Sequence, residues 1–447
     1  MIKPKIKKAY EYETTDEIEE ILEILNNSNN SIFITGGAGT GKSTLLSNFV
    51  RNTNKKLIVL APTGIAALNV GGQTIHSFFH FPPTIIRTNH IHFHYDKKKL
   101  FKNLEMIIID EISMVRADLM NGIDMALRLN RGLPHEPFGG IQMVFIGDLF
   151  QLPPVLPKKD KEEIHEKFGG KYFFNAPVFE YFDYHFKELT KIFRQNNEEI
   201  EFKTLLNKIR INNAKEKDIK QLNKRLINFT GIKKNAIFLT TRKNTARKIN
   251  EQQLELLEGE EFVYEGTLSG NYEKLKYFDE GKLENKLPAP YKLHLKKDAQ
   301  IMMLKNDTGK RWVNGNIGKI YELEKDKIIV LINGEKYCVE KETWNEIEYT
   351  IDKKTNEITE NIISSYTQYP IQLAYAITIH KSQGKTFNKI IIDVGKGAFA
   401  HGQIYVALSR CRSFNSIFLN NPIASNDIIV DSKIVEFYKN KNKLSKQ

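Results

Sequence analysis

Few folds remain open to a chain that carries Ile32-Phe33-Ile34-Thr35 directly before Gly36-Gly37-Ala38-Gly39-Thr40-Gly41-Lys42-Ser43-Thr44. A short apolar, β-prone run enters a glycine-rich turn, and the turn opens a helix from Lys42 to about Arg51. This is the strand–loop–helix setting of the phosphate-binding pattern G-x-x-x-x-G-K-[ST]. The glycines let backbone N–H groups turn inward as an anion nest, and the helix N-terminus adds partial positive charge there. Gly37, Ala38, Gly39, Thr40, Gly41, Lys42, Ser43 and Thr44 are therefore the candidate nucleotide contacts. Lys42 can reach the β- and γ-phosphates, and the Ser43 hydroxyl can sit on Mg²⁺.

The apolar runs at Leu57–Ala61, Met106–Ile109 and 143–146 are strand-length, and polar residues rather than tight hairpins follow them. That rhythm predicts buried parallel strands with helical crossovers, an α/β fold whose ligands gather at the strands' carboxyl ends. Runs at 236–239, 390–394 and Ile417–Leu419 repeat it and predict a second sheet of the same kind. Ahead of the first strand, Thr14 and Glu17 have the spacing of a capping box, and Ile18, Ile21, Leu22 and Leu25 predict an amphipathic helix over 15–27. At 447 residues the chain needs more than one core.

Two stretches break the rhythm. Residues 77–103 hold a Pro82-Pro83 pair, with His76, His80, His90, His92 and His94 in or beside them. The last three alternate and would share one face of a strand. A small insertion with solvated histidines is the expectation, a metal site the alternative. Residues 291–365 are β-rich, with a hairpin signal at Asn333-Gly334, and predict a small antiparallel barrel. Residues 269–290 are expected to be a mobile polar loop, and the lysine-rich tail from Lys439 to fray.

The carboxyl ends of the runs carry the chemistry. The run 104–109 ends in Asp110-Glu111, where Asp110 would hold Mg²⁺ through water and Glu111 would polarise the attacking water. After 143–146 come Gly147, Asp148 and Gln151; the Gln151 amide can both donate to the γ-phosphate and accept from water. Arg194, in Phe193-Arg194-Gln195, and Arg410, in Ser409-Arg410-Cys411-Arg412, are candidate arginine fingers that would make hydrolysis depend on domain closure. A formal net charge of +12 suits a polyanionic partner. Two cysteines exclude a disulfide framework and a four-cysteine zinc site, and no run is long and apolar enough to span a membrane. The default compartment is the cytoplasm or the nucleoid.

At this point a family resemblance can be placed on residues. APTGIAALNVGGQTIHSFF (61–79), IIIDEISMV (107–115), FGGIQMVFIGDLFQLPPV (138–155), LTKIFRQ (189–195), YAITIHKSQGKTF (375–387) and YVALSRCRS (405–413) resemble the ordered motifs of superfamily 1B helicases. RADLMNGIDMALRLNRG (116–132) resembles the signature of the petite-integration-frequency (Pif) family. The resemblance implies two RecA-like domains clamping ATP and Mg²⁺: domain 1A at 1–76 and 104–187, and domain 2A at 188–290 and 366–430. A 1B wedge at 77–103, an SH3-like 2B domain at 291–365 and a basic tail at 431–447 complete the implied organisation. It further implies a monomeric 5′-to-3′ DNA helicase of genome maintenance acting on single-stranded DNA and single/double-strand junctions, with G-quadruplex DNA a further candidate. A single-strand-stimulated ATPase that does not unwind is the alternative. Pro62, Thr63, Gly64, His76, Ser77 and Phe78 match strand-contacting positions, as do His380, Lys381, Ser382 and Gln383 in a motif that couples DNA to ATP. For Phe78 and Phe79, stacking on bases and packing in the core both remain open. Phe193 and Gly384 join the nucleotide contacts. No glutamine precedes Gln73, so the family's upstream adenine-reading glutamine is missing and Phe193 is left to supply base stacking.

Overall fold

The computed structural model describes residues 15–194, 199–227, 236–278, 283, 286–352, 355, 357–395 and 397–444. Gln195, the basic run 1–10, part of the stretch 269–290 and the last three tail residues lie outside them.

The first sheet is built from β1 (Ile32–Gly36), β2 (Leu57–Ala61), β3 (Gln73–Thr74), β4 (Met106–Ile109), β5 (Gln142–Ile146) and β6 (His185–Leu189). All six are parallel, in the order β3-β2-β4-β5-β1-β6. β1, β4 and β5 are buried along their whole length, as continuous apolar runs covered on both faces must be. Ile18, Ile21 and Leu25 of the helix Asp16–Asn27 close one face. Thr14 of the expected capping box lies outside the described residues. Thr15 is the N-cap and accepts from the Ile18 amide (3.4 Å), whereas the Glu17 carboxylate is drawn away to Thr190, accepting from its hydroxyl (2.6 Å) and amide (3.2 Å).

A second parallel sheet has the spatial order Ala376–Thr378, Ile237–Thr240, Ile390–Asp393, Ile417–Leu419. Between its first two strands in sequence lies a five-stranded antiparallel sheet around a separate core that includes Ile301, Ile320, Ile328 and Val330. Asn333 (φ 52°) and Gly334 (φ 91°) join two of its strands, the pair of positive φ angles that a tight hairpin requires. Its edge strands, Glu335–Val339 and Ile371–Leu373, do not pair with each other among the described residues, so SH3-like closure is not established.

Residues 342–368 depart from the barrel expectation. They form a long hairpin, Glu342–Ile351 with Ile358–Gln368, that leans onto the first sheet's side of the molecule. There Glu348 pairs with the buried Lys97 ammonium (2.8 Å), and the Tyr349 amide donates to Gln73 Oε1 (3.4 Å). The stretch 269–290 is not a simple loop either: a helix spans Asn271–Phe278, and Leu283 and Leu287 pack with Trp344 and Tyr366. Of the tail expected to fray from Lys439, residues as far as Leu444 continue a helix. A helix, Ser432–Leu444, buries Ile434 and Tyr438 and stacks Phe437 on Phe174 (4.3 Å), while the Tyr438 hydroxyl meets Thr35 Oγ1 (2.5 Å). Its lysines and asparagines hide an apolar stripe that belongs to the first sheet.

His90, His92 and His94 share no strand. His94 is buried edge-on to His80 (4.9 Å), so it is not a solvated histidine, and among the described residues no three-ligand cluster is present. The insertion is carried by the signature helix Ala117–Arg131. Asp118 accepts from the Ile86 amide (2.8 Å), Asn130 accepts from the His94 amide (2.7 Å), and a Cβ on Gly122 would stand 2.6 Å from Ile86.

Candidate active site and adjoining cleft

The phosphate loop leaves β1 and turns through Gly39 (φ 85°) and Gly41 (φ 88°), the latter capping the helix Lys42–Asn52. Lys42 Nζ donates to the carbonyls of Gly36 (2.8 Å) and Gly37 (2.9 Å), and burial lowers its pKa. Ser43 and Thr44 sit on the first helical turn and are exposed. Phe193 and Arg194 pass directly over the loop: the Phe193 amide donates to Gly39 O (2.8 Å), and any Cβ on Gly39 would lie 2.4 Å from Arg194 Cβ.

Asp110 and Glu111 follow β4. Asp110 is buried, and one of its oxygens accepts the Glu111 amide (2.9 Å). A buried carboxylate near enough to the phosphate loop for Lys42 to act on its charge is an oxygen donor suited to a hard cation such as Mg²⁺. Glu111 stands in the left-handed region (φ 50°), so the turn after β4 aims its side chain away from the strand axis. Burial, then the neighbouring Asp110, push its carboxyl up to about 7. From the second sheet's side, Gln383 Nε2 donates to Glu111 Oε2 (2.9 Å).

A buried network ties the loop to the third strand end. Tyr405 hydroxyl accepts from the Ala38 amide (2.8 Å) and donates to Asp148 Oδ2 (3.2 Å). Asp148 is fully buried and paired with Arg210 (3.2 Å), which also meets Glu188 (2.9 Å) and lies 4.6 Å over the Phe150 ring. Gln151 Nε2 approaches Asp148 Oδ2 (3.4 Å), which turns the amide toward the loop's side of β5. Sequence reasoning missed Asp148, Arg210 and Tyr405 as a unit. One signal was available: Arg210 shares the buried face of the helix Ile200–Arg210 with Phe202, Leu206 and Ile209, and an arginine on an apolar stripe needs a buried anion.

The two arginines differ. Arg194 is half-buried and donates to Ser409 O (3.0 Å). Arg410 is buried and donates to Val406 O (2.7 Å), Ser382 O (3.2 Å), Lys385 O (3.2 Å) and Ser409 Oγ (2.7 Å); burial pulls its pKa down to about 9. In this arrangement Arg410 braces the second sheet's own loops, whereas Arg194 lies against the phosphate loop.

Between the two sheets runs a cleft of about 1800 Å³. Thr63 and Gly64 line one wall and His380, Lys381 and Gln383 the other, and Glu111 also lines it. Lys161, Lys171, Lys243, Lys305, Lys385 and Lys433 also face it, against the acids Glu111 and Asp431. Burial, with Lys381 adding to it, lowers Lys385 to about 8, and its ammonium donates to Asn314 Oδ1 (2.6 Å).

Other strand-contacting expectations do not reach this cleft. Thr63 caps the helix Gly64–Val70, with Pro62 just before it. His76 and Ser77 lie on the helix Ile75–Phe79 outside the lining, Ser77 Oγ accepting from Gln73 Nε2 (2.9 Å). Ser382 is buried, its hydroxyl donating to Ile379 O (2.7 Å). Gly384 (φ 77°) is exposed beside Gln383. Phe78 is 0% exposed, packed on Phe79 (4.8 Å), Phe101 (5.5 Å) and Tyr349 (6.3 Å), so it is a core residue and cannot stack on a base. Phe78→Ala should therefore cost about 3–5 kcal/mol of stability. A urea titration that leaves the midpoint unchanged would refute that placement.

Comparison with known proteins follows the same lines. The PIF1-like helicase family model matches residues 12–220. The chain is 32% identical to the ATP-dependent DNA helicase Pif1 of Bdellovibrio bacteriovorus, covering 96% of this chain and 93% of that one. It is 38% identical to Bacteroides sp Pif1 in its crystal structure with ADP-AlF4, with a TM-score of 0.87 over 96% of this chain and 97% of that one. Against Bacteroides Pif1 bound to ssDNA the identity and coverage are the same and the TM-score is 0.69.

Proposed function

This chain belongs to the PIF1-like helicase family, and from that premise we propose how its own residues run an ATP-dependent DNA helicase. One observation carries the reading: Glu111, set beside the phosphate loop by the first sheet, opens into the same lysine-lined cleft as His380 and Lys381 of the second. Nucleotide chemistry and strand binding thus share a wall.

The loop amides and Lys42 bind the ATP phosphates, and Phe193 stacks on the base. Ser43 and Asp110 would hold Mg²⁺, which would supply charge neutralisation to the phosphates. Glu111 takes the proton of the attacking water, Gln151 orients that water, and Arg194 neutralises charge on the transferring phosphoryl group. Arg410 keeps Ser409, and through it Arg194, in place. In the cleft, Thr63 and Gly64 hold the strand from one sheet, and His380 and Lys381 hold it from the other. Such phosphate contacts position a strand without reading its sequence. Alternate opening and closing of the two sheets around ATP then moves the strand stepwise, 5′ to 3′, into a junction. Both halves of the nucleotide site come from one chain, which supports action as a monomer. Single/double-strand junctions are the natural substrate of this arrangement, with G-quadruplex DNA a further structured one. No helix among the described residues is long and apolar enough to cross a membrane, which accords with work in the cytoplasm or on the nucleoid.

Unwinding of duplexes that carry a single tail tests this. With ATP and Mg²⁺, a 5′-tailed duplex should be unwound and a 3′-tailed one left intact. Preference for the 3′ tail overturns the polarity, and inertness on both reduces the protein to a strand-stimulated ATPase.

A further inference from the structure

Gln383 is the side chain through which the cleft reaches the chemistry. It caps the short helix Ile379–Ser382 on the second sheet, immediately after His380 and Lys381, and it lines the cleft with them. Its amide N–H crosses between the sheets to Glu111 Oε2 at 2.9 Å. The carboxylate it engages is the one expected to accept the water proton. Glu111 is itself turned out of the strand line by its left-handed backbone and lines the cleft rather than being enclosed by the phosphate loop. That bond occupies one of the two oxygens of this carboxylate. Over the whole chain the TM-score is 0.87 to the ADP-AlF4 complex of the Bacteroides relative, 0.85 to its unliganded form and 0.69 to its ssDNA complex.

From this geometry we infer that Gln383 is a latch on Glu111: it holds the base away from the attacking water until a strand in the cleft takes its amide. This rests on the helicase reading above and deepens it. Gln383 is a positioning residue, since it acts through Glu111. A strand phosphate drawn to His380 and Lys381 arrives beside the same amide and offers it a charged acceptor. Once the amide turns to the phosphate, Glu111 regains both oxygens and can swing toward the loop. Gly384, at φ 77° with no atom within 4 Å of its would-be Cβ, gives the segment after Gln383 room to move. The latch couples in one direction: it suppresses hydrolysis without DNA and is neutral once DNA is bound.

The test compares Gln383→Ala and Gln383→Asn with wild type. Asparagine keeps the amide but is one methylene too short to reach Glu111. Steady-state ATPase is measured with and without a saturating oligo-dT strand, and strand binding by fluorescence anisotropy without nucleotide. Both variants should raise the DNA-free kcat about tenfold and leave the ATP KM within about twofold. Stimulation then shrinks because its floor rises. An unchanged urea unfolding midpoint certifies a folded cleft, and anisotropy reads the lost amide–phosphate contact as weaker strand binding. A DNA-free kcat that falls would make Gln383 an aligner of the base and overturn the latch, and an unchanged one would overturn it equally. A wild type that DNA does not stimulate would instead overturn the motor reading on which the latch stands.

Discussion

Glu111→Gln will bind ATP and single-stranded DNA yet hydrolyse ATP about a thousandfold more slowly than wild type. The substitution is nearly isosteric and preserves the turn after β4, where residue 111 holds a positive φ (50°). It removes the one property the step needs, since an amide does not take a proton from water at neutral pH. Binding survives because the loop amides and Lys42 are untouched. It also survives on the cleft side, where the Gln383 amide can donate to the new carbonyl oxygen as it does to Glu111 Oε2 at 2.9 Å. Single-turnover hydrolysis and equilibrium nucleotide binding separate the two effects. Full turnover in this variant would move the general base to another residue.

Arg194→Ala will lose about three orders of magnitude of the DNA-stimulated ATPase rate while still binding DNA without nucleotide. Its side chain starts at the phosphate loop, where its Cβ lies 2.4 Å from where a Gly39 Cβ would stand, and its guanidinium donates to Ser409 O (3.0 Å). In the proposed finger role the guanidinium would exchange that carbonyl for a phosphoryl oxygen. Lysine at this position should not restore the rate, because a point charge cannot reproduce the planar, potentially bidentate fork. Rates of the alanine and lysine variants at saturating strand settle it, and wild-type stimulation in Arg194→Ala would remove the residue from the finger role. Arg410 does not invite the same experiment. It is 1% exposed and bound to three backbone carbonyls, so its truncation would unbrace the second sheet's loops before it reported on phosphoryl transfer.

What sequence could show here was set by how local each feature is. β1, the phosphate loop and the helix Lys42–Asn52 are contiguous and governed by short-range rules, so their geometry follows from residues 32–52 alone. Leu57–Ala61 and Met106–Ile109 were readable for the same reason, being unbroken apolar runs of strand length. Readings failed where a tertiary partner outweighed composition. The helix Ser432–Leu444 runs into the stretch expected to fray because Ile434, Phe437 and Tyr438, just before Lys439, find Phe33, Phe174 and Phe186. Glu17, read as a capping-box acid, accepts from Thr190 far along the chain. Phe78 could be read either as a stacking platform or as core, and only the hairpin carrying Tyr349, some 270 residues away, closes the question. The Ala38–Tyr405–Asp148–Arg210 network was out of reach for a like reason: its members come from four separate segments that meet only when both sheets close.

The claim under all of these is that strand binding and ATP hydrolysis are one coupled process across the two sheets. By linkage, a strand held by both sheets must favour the hydrolysis-competent arrangement if that arrangement favours the strand. Steady-state ATPase of the wild-type protein with and without a saturating single strand tests it most directly. The account predicts a rise of at least about tenfold on adding the strand, a coupling within the usual allosteric range; a rate indifferent to DNA would contradict it.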